Sequence, residues 1–308
     1  MNSPASLSIL ERALGRKPAT GDTVDLPIDL AVLGGAPGPE TVQLFNQQRG
    51  ALWDASRVAL TFDFPAPGVE IRVPKSRHLC REFAAKHAIR YVFDLNMGIG
   101  PQILVEHGIA QPGMIIAGSG HCLHQVGALG ALVFGAEPGV LARALSRGLL
   151  PFKVPEVAEV AFEGTPHEGF HAFDMALLAG QALAKLSVNT IVEFNGKAVE
   201  GLSIDDRVTL VDVGAEGFRG GIIAGDSVTM AFLAERMKNT PPPYSGGPRS
   251  GYAQSLKVSL AGSEPLVQGP GAGGPLKPVS TLSGKKIHSA YIGSCAAGRA
   301  SDLAVAAG

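Results

Sequence analysis

Short apolar runs alternating with amphipathic stretches constrain this chain more than any other feature. "TVDLPIDLAVL" reads as extended structure and ends in the loop "GGAPGPE" (34–40), after which "PETVQLFNQ" takes up helical spacing. "RVALTFDFPAP" (57–67), "IRYVFDLN" and "GMIIAGSG" (113–120) are further strands, and "SRHLCREFAAKHA" (76–88) is an amphipathic helix with Leu79, Phe83 and Ala84 on one face. Strands alternating with helices predict parallel α/β layers. In such sheets chemistry collects in the loops after the strand C-termini. Here those loops are 34–40, 63–68, 96–102, 118–124 and 212–221.

The same reading predicts a small-residue helix over "QVGALGALVFGA" (125–136), strands in "KVPEVAEVAFEG" (153–164) and a helix over "AFDMALLAGQALAKL" (172–186). "NTIVEFNGKAVEGL" reads as a strand pair turning at Asn195-Gly196. "SIDDRVTLVDVGAEGFRGGIIAGDS" (203–227) reads as a capped helix running into a glycine-rich loop. Residues 239–286 are rich in Pro and Gly and flank one strand, "SLKVSLAG", as a linker would. "KKIHSAYIGSC" then reads as a strand and "RASDLAVAA" as the first helix of a new domain. The expected organisation is 1–238 as α/β structure that the length divides into two domains, 239–286 as the linker region and 287–308 as the start of a further, incomplete domain.

A net charge of −1 with 17% charged residues leaves no basic excess for nucleic acid and no polybasic membrane patch. No run of 18 apolar residues and no basic-plus-apolar leader occurs, so the expected location is cytoplasmic. The three cysteines, Cys80, Cys122 and Cys295, are too widely spaced for a disulfide framework and are expected as free thiols.

Several blocks carry a likeness to a known family when read in order. They are "QILVEHGIAQPGMIIAG" with "GALGALVFG", "FKVPEVAEVAFEG", "AVEGLSIDDRVTLVDVGAEGFRGGIIAGD" and "LKPVSTLSGKKIHSAYIGSCAAGRASDL". Together they resemble the large subunits of the aconitase superfamily, of the 3-isopropylmalate dehydratase type. The resemblance implies intertwined α/β domains around a [4Fe–4S] cluster, a separate small subunit carrying a swivelling domain, and hydro-lyase or isomerase action on a hydroxy-di- or tricarboxylic acid. A metal suits that reaction because it stabilises the departing hydroxide.

Residue by residue, the resemblance makes Cys295 the first cluster ligand and matches Arg299 beside it, whose guanidinium is a candidate to bind a substrate carboxylate bidentately or else sits at a solvated helix start. The Cys-x-x-Cys that completes the family's ligand set has no counterpart in this sequence, so the expectation is that the cluster is not bound and Cys295 is an inherited loop thiol. Asp63 and Glu216 fall on active-site positions and are candidate acid–base groups, as is His121 in "SGHCLHQV". Elsewhere Gly34-Gly35, Gly100-Pro101 and Val211-Asp212 stand where the family carries polar pairs. Three functions follow: a dehydratase-type large subunit, a non-catalytic relative binding a small carboxylate or a partner, or an enzyme using the His121/Cys122/Glu216 pocket without a cluster.

Overall fold

The computed structural model describes residues 3–63, 72–120, 122–237, 250–271 and 273–307. Its first unit contains β1 (Thr23–Pro27), β2 (Leu30–Leu33), β3 (Val58–Thr61), β4 (Tyr91–Phe93), β5 (Ile115–Ser119), β6 (Leu132–Gly135) and β7 (Leu149–Lys153). β2 to β6 form one parallel sheet in the order β4-β3-β2-β5-β6, and β1 pairs antiparallel with β7 beside it. The helices of this unit are α1 (Ala5–Leu14), α2 (Pro37–Gln48), α3 (Arg72–His87), α4 (Gly100–Glu106) and α5 (Pro138–Arg147).

Both faces of the sheet are covered, which is why its strands are continuous apolar runs rather than alternating ones. Ala31, Leu33, Val58 and Leu60 pack with Phe45 of α2, Phe83 of α3 and Leu141 of α5. Their neighbours Leu30, Val32 and Ala59 point to the other face and pack with Leu104 of α4 and Val126.

The second unit is a parallel sheet of β8 (Glu156–Glu163), β9 (Thr190–Asn195), β10 (Gly220–Ile222) and β11 (Gln254–Ser259), ordered β10-β9-β8-β11. β12 (Leu266–Gln268) and β13 (Leu276–Pro278) form a separate antiparallel pair. Its helices are α6 (Ala172–Leu183), α7 (Lys197–Glu200), α8 (Ile204–Gly214) and α9 (Ser227–Ala234); α10 (Ala300–Ala307) follows near the end of the described chain. α6 and α8 cover one face through Met175, Ala179, Leu210 and Val211 against Val160, Phe162, Val192 and Phe194. On the other face Ile191 and Ile222 join the core of the first unit, alongside Phe134 and Phe152. The two sheets therefore share one interior.

The strand within the Pro/Gly-rich region is present as β11, and it docks parallel to β8 as the edge of the second sheet. Three expectations are corrected. Residues 125–136 are not one helix: a 3₁₀ segment, Leu123–Leu129, stops at Gly130 (φ 81°), and β6 follows. The turn at Asn195-Gly196 does not open a hairpin, because Gly196 (φ 101°) leads into α7 and β9 already has parallel partners on both sides. "KKIHSAYIGSC" forms no strand, although α10 begins where the helix was expected.

Two devices lock the units together. Gly127 of the 3₁₀ segment lies so close to the Gly221 carbonyl of β10 that a Cβ there would collide with backbone. Glu193, buried on β9, accepts from the backbone N–H of Ala5 at 3.1 Å and of Ser6 at 2.8 Å at the start of α1, and from the Tyr252 hydroxyl at 2.9 Å. A carboxylate there meets the unpaired donors and the positive end of the helix.

Candidate functional site

The strand order reverses direction between β2 and β5, where an α/β sheet ordinarily opens a crevice. In this chain the crevice is drawn shut by glycines. A Cβ on Gly120 would lie 3.3 Å from the Gly34 carbonyl carbon, and one on Gly34 would lie 2.7 Å from Thr61 Oγ1. Ser119 Oγ donates to Gly34 O at 3.2 Å. Asp63, half-buried, accepts from Gly35 N at 2.8 Å and Thr61 Oγ1 at 3.2 Å, so its carboxylate holds two loops together.

The polar cluster lies one step further along the sheet edge. Cys122, in the left-handed conformation (φ 59°), caps the 3₁₀ segment after β5. Its Sγ is bridged to Cys295 as a disulfide across 173 residues of sequence, with Cα atoms 6.8 Å apart. The expectation of three free thiols is thus corrected: only Cys80 is free, buried on α3 with its thiol pushed up to about 12 by burial. Asp212 of α8 faces the two cysteines, and one ligand atom from each of the three residues lies within 4.8 Å of the others.

Gln125, fully buried, organises this group. Its Nε2 donates to Asp212 Oδ2 at 3.0 Å and to the Cys295 carbonyl at 2.7 Å. Burial pushes the Asp212 carboxyl up to about 6, against the lowering effects of the Gln125 hydrogen bond and the Arg299 charge, with Glu216 raising it further. His124 beside them is pushed down by burial and by the Arg219 charge, and its Nδ1 has no hydrogen-bond partner among the described residues.

Arg299 is held from three elements. Its Nε donates to Gln102 Oε1 of α4 at 3.2 Å, and its Nη1 donates to Thr209 Oγ1 of α8 at 3.1 Å and to Ala296 O at 2.9 Å. Thr209 in turn donates to Ala296 O at 2.7 Å. The Arg299 side chain is only 10% exposed, and its Nη2 is buried with no acceptor among the described residues.

Of the residues singled out from sequence, Cys295 and Arg299 meet in this cluster. Asp63 serves the neighbouring loop pair, and His121 lies outside the described residues. Glu216 is exposed and lines a cavity of about 520 Å³ with Val213, Gln268 and Pro275, while Thr209 and Asp212 lie one helical step apart on the site face of α8. Gln125 and Asp212 are site residues that sequence reasoning misses, while Cys122 joins Cys295 and Asp212 rather than the Glu216 of the pocket expected from sequence. Cys122 and Asp212 stand in the loops 118–124 and 212–221 after strand ends, and that position is the available signal; Gln125 lies inside the 3₁₀ segment and carries none.

The donor set bears on the cofactor the resemblance implies. A four-iron cluster takes cysteine thiolates. At this site the described residues bring together two sulfurs and one carboxylate, and Cys80 lies in the core between α2 and α3. These residues do not fit a [4Fe–4S] cluster.

A doubly wound parallel sheet joined to a second parallel sheet, with a buried Arg, an Asp and two Cys gathered from distant segments, is a two-sheet α/β architecture of the class that the resemblance implies. The chain matches the aconitase family (aconitate hydratase) over residues 70–264. It is 31% identical over 312 residues to 3-isopropylmalate dehydratase large subunit 1 of Methanopyrus kandleri, covering 100% of this chain and 74% of the relative. It is 32% identical over 317 residues to the 3-isopropylmalate dehydratase large subunit of Wolinella succinogenes, covering 100% and 75%. It is also 29% identical over 307 residues to the probable methanogen homoaconitase large subunit of Methanothermobacter thermautotrophicus, covering 97% and 72%. The chain belongs to the aconitase family. Among the described residues no helix is long and apolar enough to cross a membrane.

Proposed function

We propose that this chain is a hydro-lyase-type large subunit that binds a small hydroxy-di- or tricarboxylic acid at Arg299 and works with a small-subunit partner in a reducing compartment. The observation that carries the reading is the Arg299 guanidinium. Three neighbours fix its plane while Nη2 is buried with no acceptor among the described residues. An unpaired buried donor costs about 1–3 kcal/mol, and a carboxylate oxygen satisfies it. The names of the relatives, dehydratase and homoaconitase large subunits, support both the acid class and a second subunit.

Calorimetric titration of the reduced protein with 3-isopropylmalate and with malate tests this. Micromolar-to-millimolar binding is expected, weakened at least about tenfold by Arg299→Gln, the loss of one charge-assisted pair. Equal binding by that variant, or none by the folded parent protein, would sink the assignment.

A second reading, binding without turnover, is favoured by the glycine-closed crevice between β2 and β5, where Gly34, Gly35 and Gly120 present no side chain for chemistry. Dehydration of 3-isopropylmalate, followed by absorbance of the unsaturated product in the presence of a small subunit, separates the two. Turnover establishes the first reading, and tight binding with no turnover establishes the second.

A further inference from the structure

Cys122, Asp212 and Cys295 come from three separate segments, and nothing in the packing of a core requires two sulfurs and a carboxylate to converge. We infer that, once the bridge is reduced, these three residues form a single-ion site for a thiophilic divalent cation of the zinc or ferrous class. Their ligand atoms already lie within 4.8 Å of one another, so small side-chain shifts bring them to the separations of roughly 3.3–3.8 Å that a tetrahedral site takes at metal–sulfur and metal–oxygen lengths of about 2.0–2.3 Å. Three protein ligands leave a fourth, open position, as in catalytic rather than structural zinc sites.

The surroundings suit ligands that must be held in place. Gln125 donates both to the Asp212 carboxylate and to the backbone carbonyl of Cys295, so one buried amide orients two of the three ligands. The Gln125 Oε1 atom is itself buried with no partner among the described residues, an acceptor that a metal-bound water would satisfy. Thr209 and Arg299 both hold the Ala296 carbonyl, which fixes the turn carrying Cys295. Two thiolates and a carboxylate would crowd three negative charges, and a divalent ion with the nearby Arg299 charge offsets them.

The chemistry balances in two steps. A small thiol of the glutathione class reduces the bridge: Cys–S–S–Cys and two RSH give two Cys–SH and RSSR. The cation then displaces the two thiol protons, giving the bound ion and two H⁺. The bridge and the ion thus compete for the same sulfurs, and the site opens only under reducing conditions. The ion site stands without the carboxylate reading above. Only occupancy of the open position by a hydroxy-acid oxygen rests on that reading.

Full-length protein is reduced with dithiothreitol, desalted without oxygen and titrated with Co²⁺ alone. One Co²⁺ per chain with thiolate charge-transfer absorption is expected, lost in Cys122→Ser and Cys295→Ser, weakened at least about tenfold in Asp212→Asn and retained in Cys80→Ser. Protein reoxidised with glutathione disulfide should bind none. Because the serine variants could misfold, the parent protein is also alkylated with and without Zn²⁺, and protection of Cys122 and Cys295 is expected. Absence of stoichiometric Co²⁺ in folded, reduced protein, no protection by Zn²⁺, or several irons with sulfide per chain would overturn the inference. Carboxylate binding measured on the metal-free protein reports separately on Arg299, so either assignment can fail alone.

Discussion

Gln125 and Asp212 meet through a buried hydrogen bond of 3.0 Å between residues 87 apart in sequence. The bond joins the loop after β5 to α8, and hence the first sheet to the second. Gln125→Leu preserves most of the volume but leaves the Asp212 carboxylate and the Cys295 carbonyl without their shared donor. An unsatisfied buried group costs about 1–3 kcal/mol. Urea unfolding of the variant should therefore show a loss in that range with an unchanged m-value. A loss below about 0.5 kcal/mol, the level of a neutral surface change, would mean that water replaces the amide freely.

How much of this arrangement can be read from one dimension follows from the distances involved. β2, β3 and β5 are legible because burial on both faces makes "LAVL", "VALT" and "IIAGS" continuous apolar runs. Local periodicity failed at 125–136, where Gly, Ala and Leu suit a helix and a buried strand equally and Gly130 decides the break. It failed again at Asn195-Gly196, because parallel partners for β9 lie far along the chain. Cys295 and Arg299 were legible through their motif. Asp212 reads in sequence as a lost position, and Cys122 as a neighbour of His121 and Glu216 rather than of Cys295, since their contacts close over 87 and 173 residues.

Arg207, on α8, is fully buried and donates to both carboxylate oxygens of Asp226 at 2.8 and 2.7 Å, while Asp226 also caps α9 through the N–H groups of Val228 and Thr229. Burial pushes the Asp226 carboxyl up, but the Arg207 hydrogen bond, the cap and the Arg207 charge outweigh it, and the net shift is downward. A depressed carboxyl binds fewer protons folded than unfolded, so its stabilisation is present above the ordinary carboxylate pKa and is lost as pH falls through the depressed one. Asp226→Asn should cost about 2–3 kcal/mol at neutral pH, less than the roughly 3–5 kcal/mol of a fully buried pair because Asp226 is partly exposed. The gap between parent and variant should narrow below about pH 4. A gap that stays constant into acid would show that the charge on Asp226 is not what stabilises.

Gly127 and Gly221 give the sharpest steric test. A methyl at 127 has the backbone oxygen of Gly221 in its way, and that oxygen belongs to a paired strand that cannot swing aside. Gly127→Ala should lower stability by about 1–3 kcal/mol, the usual cost of overpacking. Gly139→Ala, where nothing lies within 4 Å, is the control and should be neutral or slightly stabilising. Thermal melts of the two variants check this, and equal melting temperatures would remove the close approach as a constraint on how the units dock.

Thiol chemistry should sort the three cysteines by environment. Cys80 is 1% exposed between α2 and α3, and burial pushes its thiol up to about 12, so almost no thiolate forms at neutral pH. Cys122 and Cys295 are half-buried and bridged. Native oxidised protein should therefore react with iodoacetamide at no site, and unfolding without reductant should reveal one thiol per chain, Cys80. Reduction of the native protein should expose two fast-reacting thiols, which peptide mapping should place at 122 and 295, with Cys80 labelled only on the timescale of unfolding. Labelling of Cys80 as fast as the other two would mean that the core around Phe45 and Phe83 opens without global unfolding.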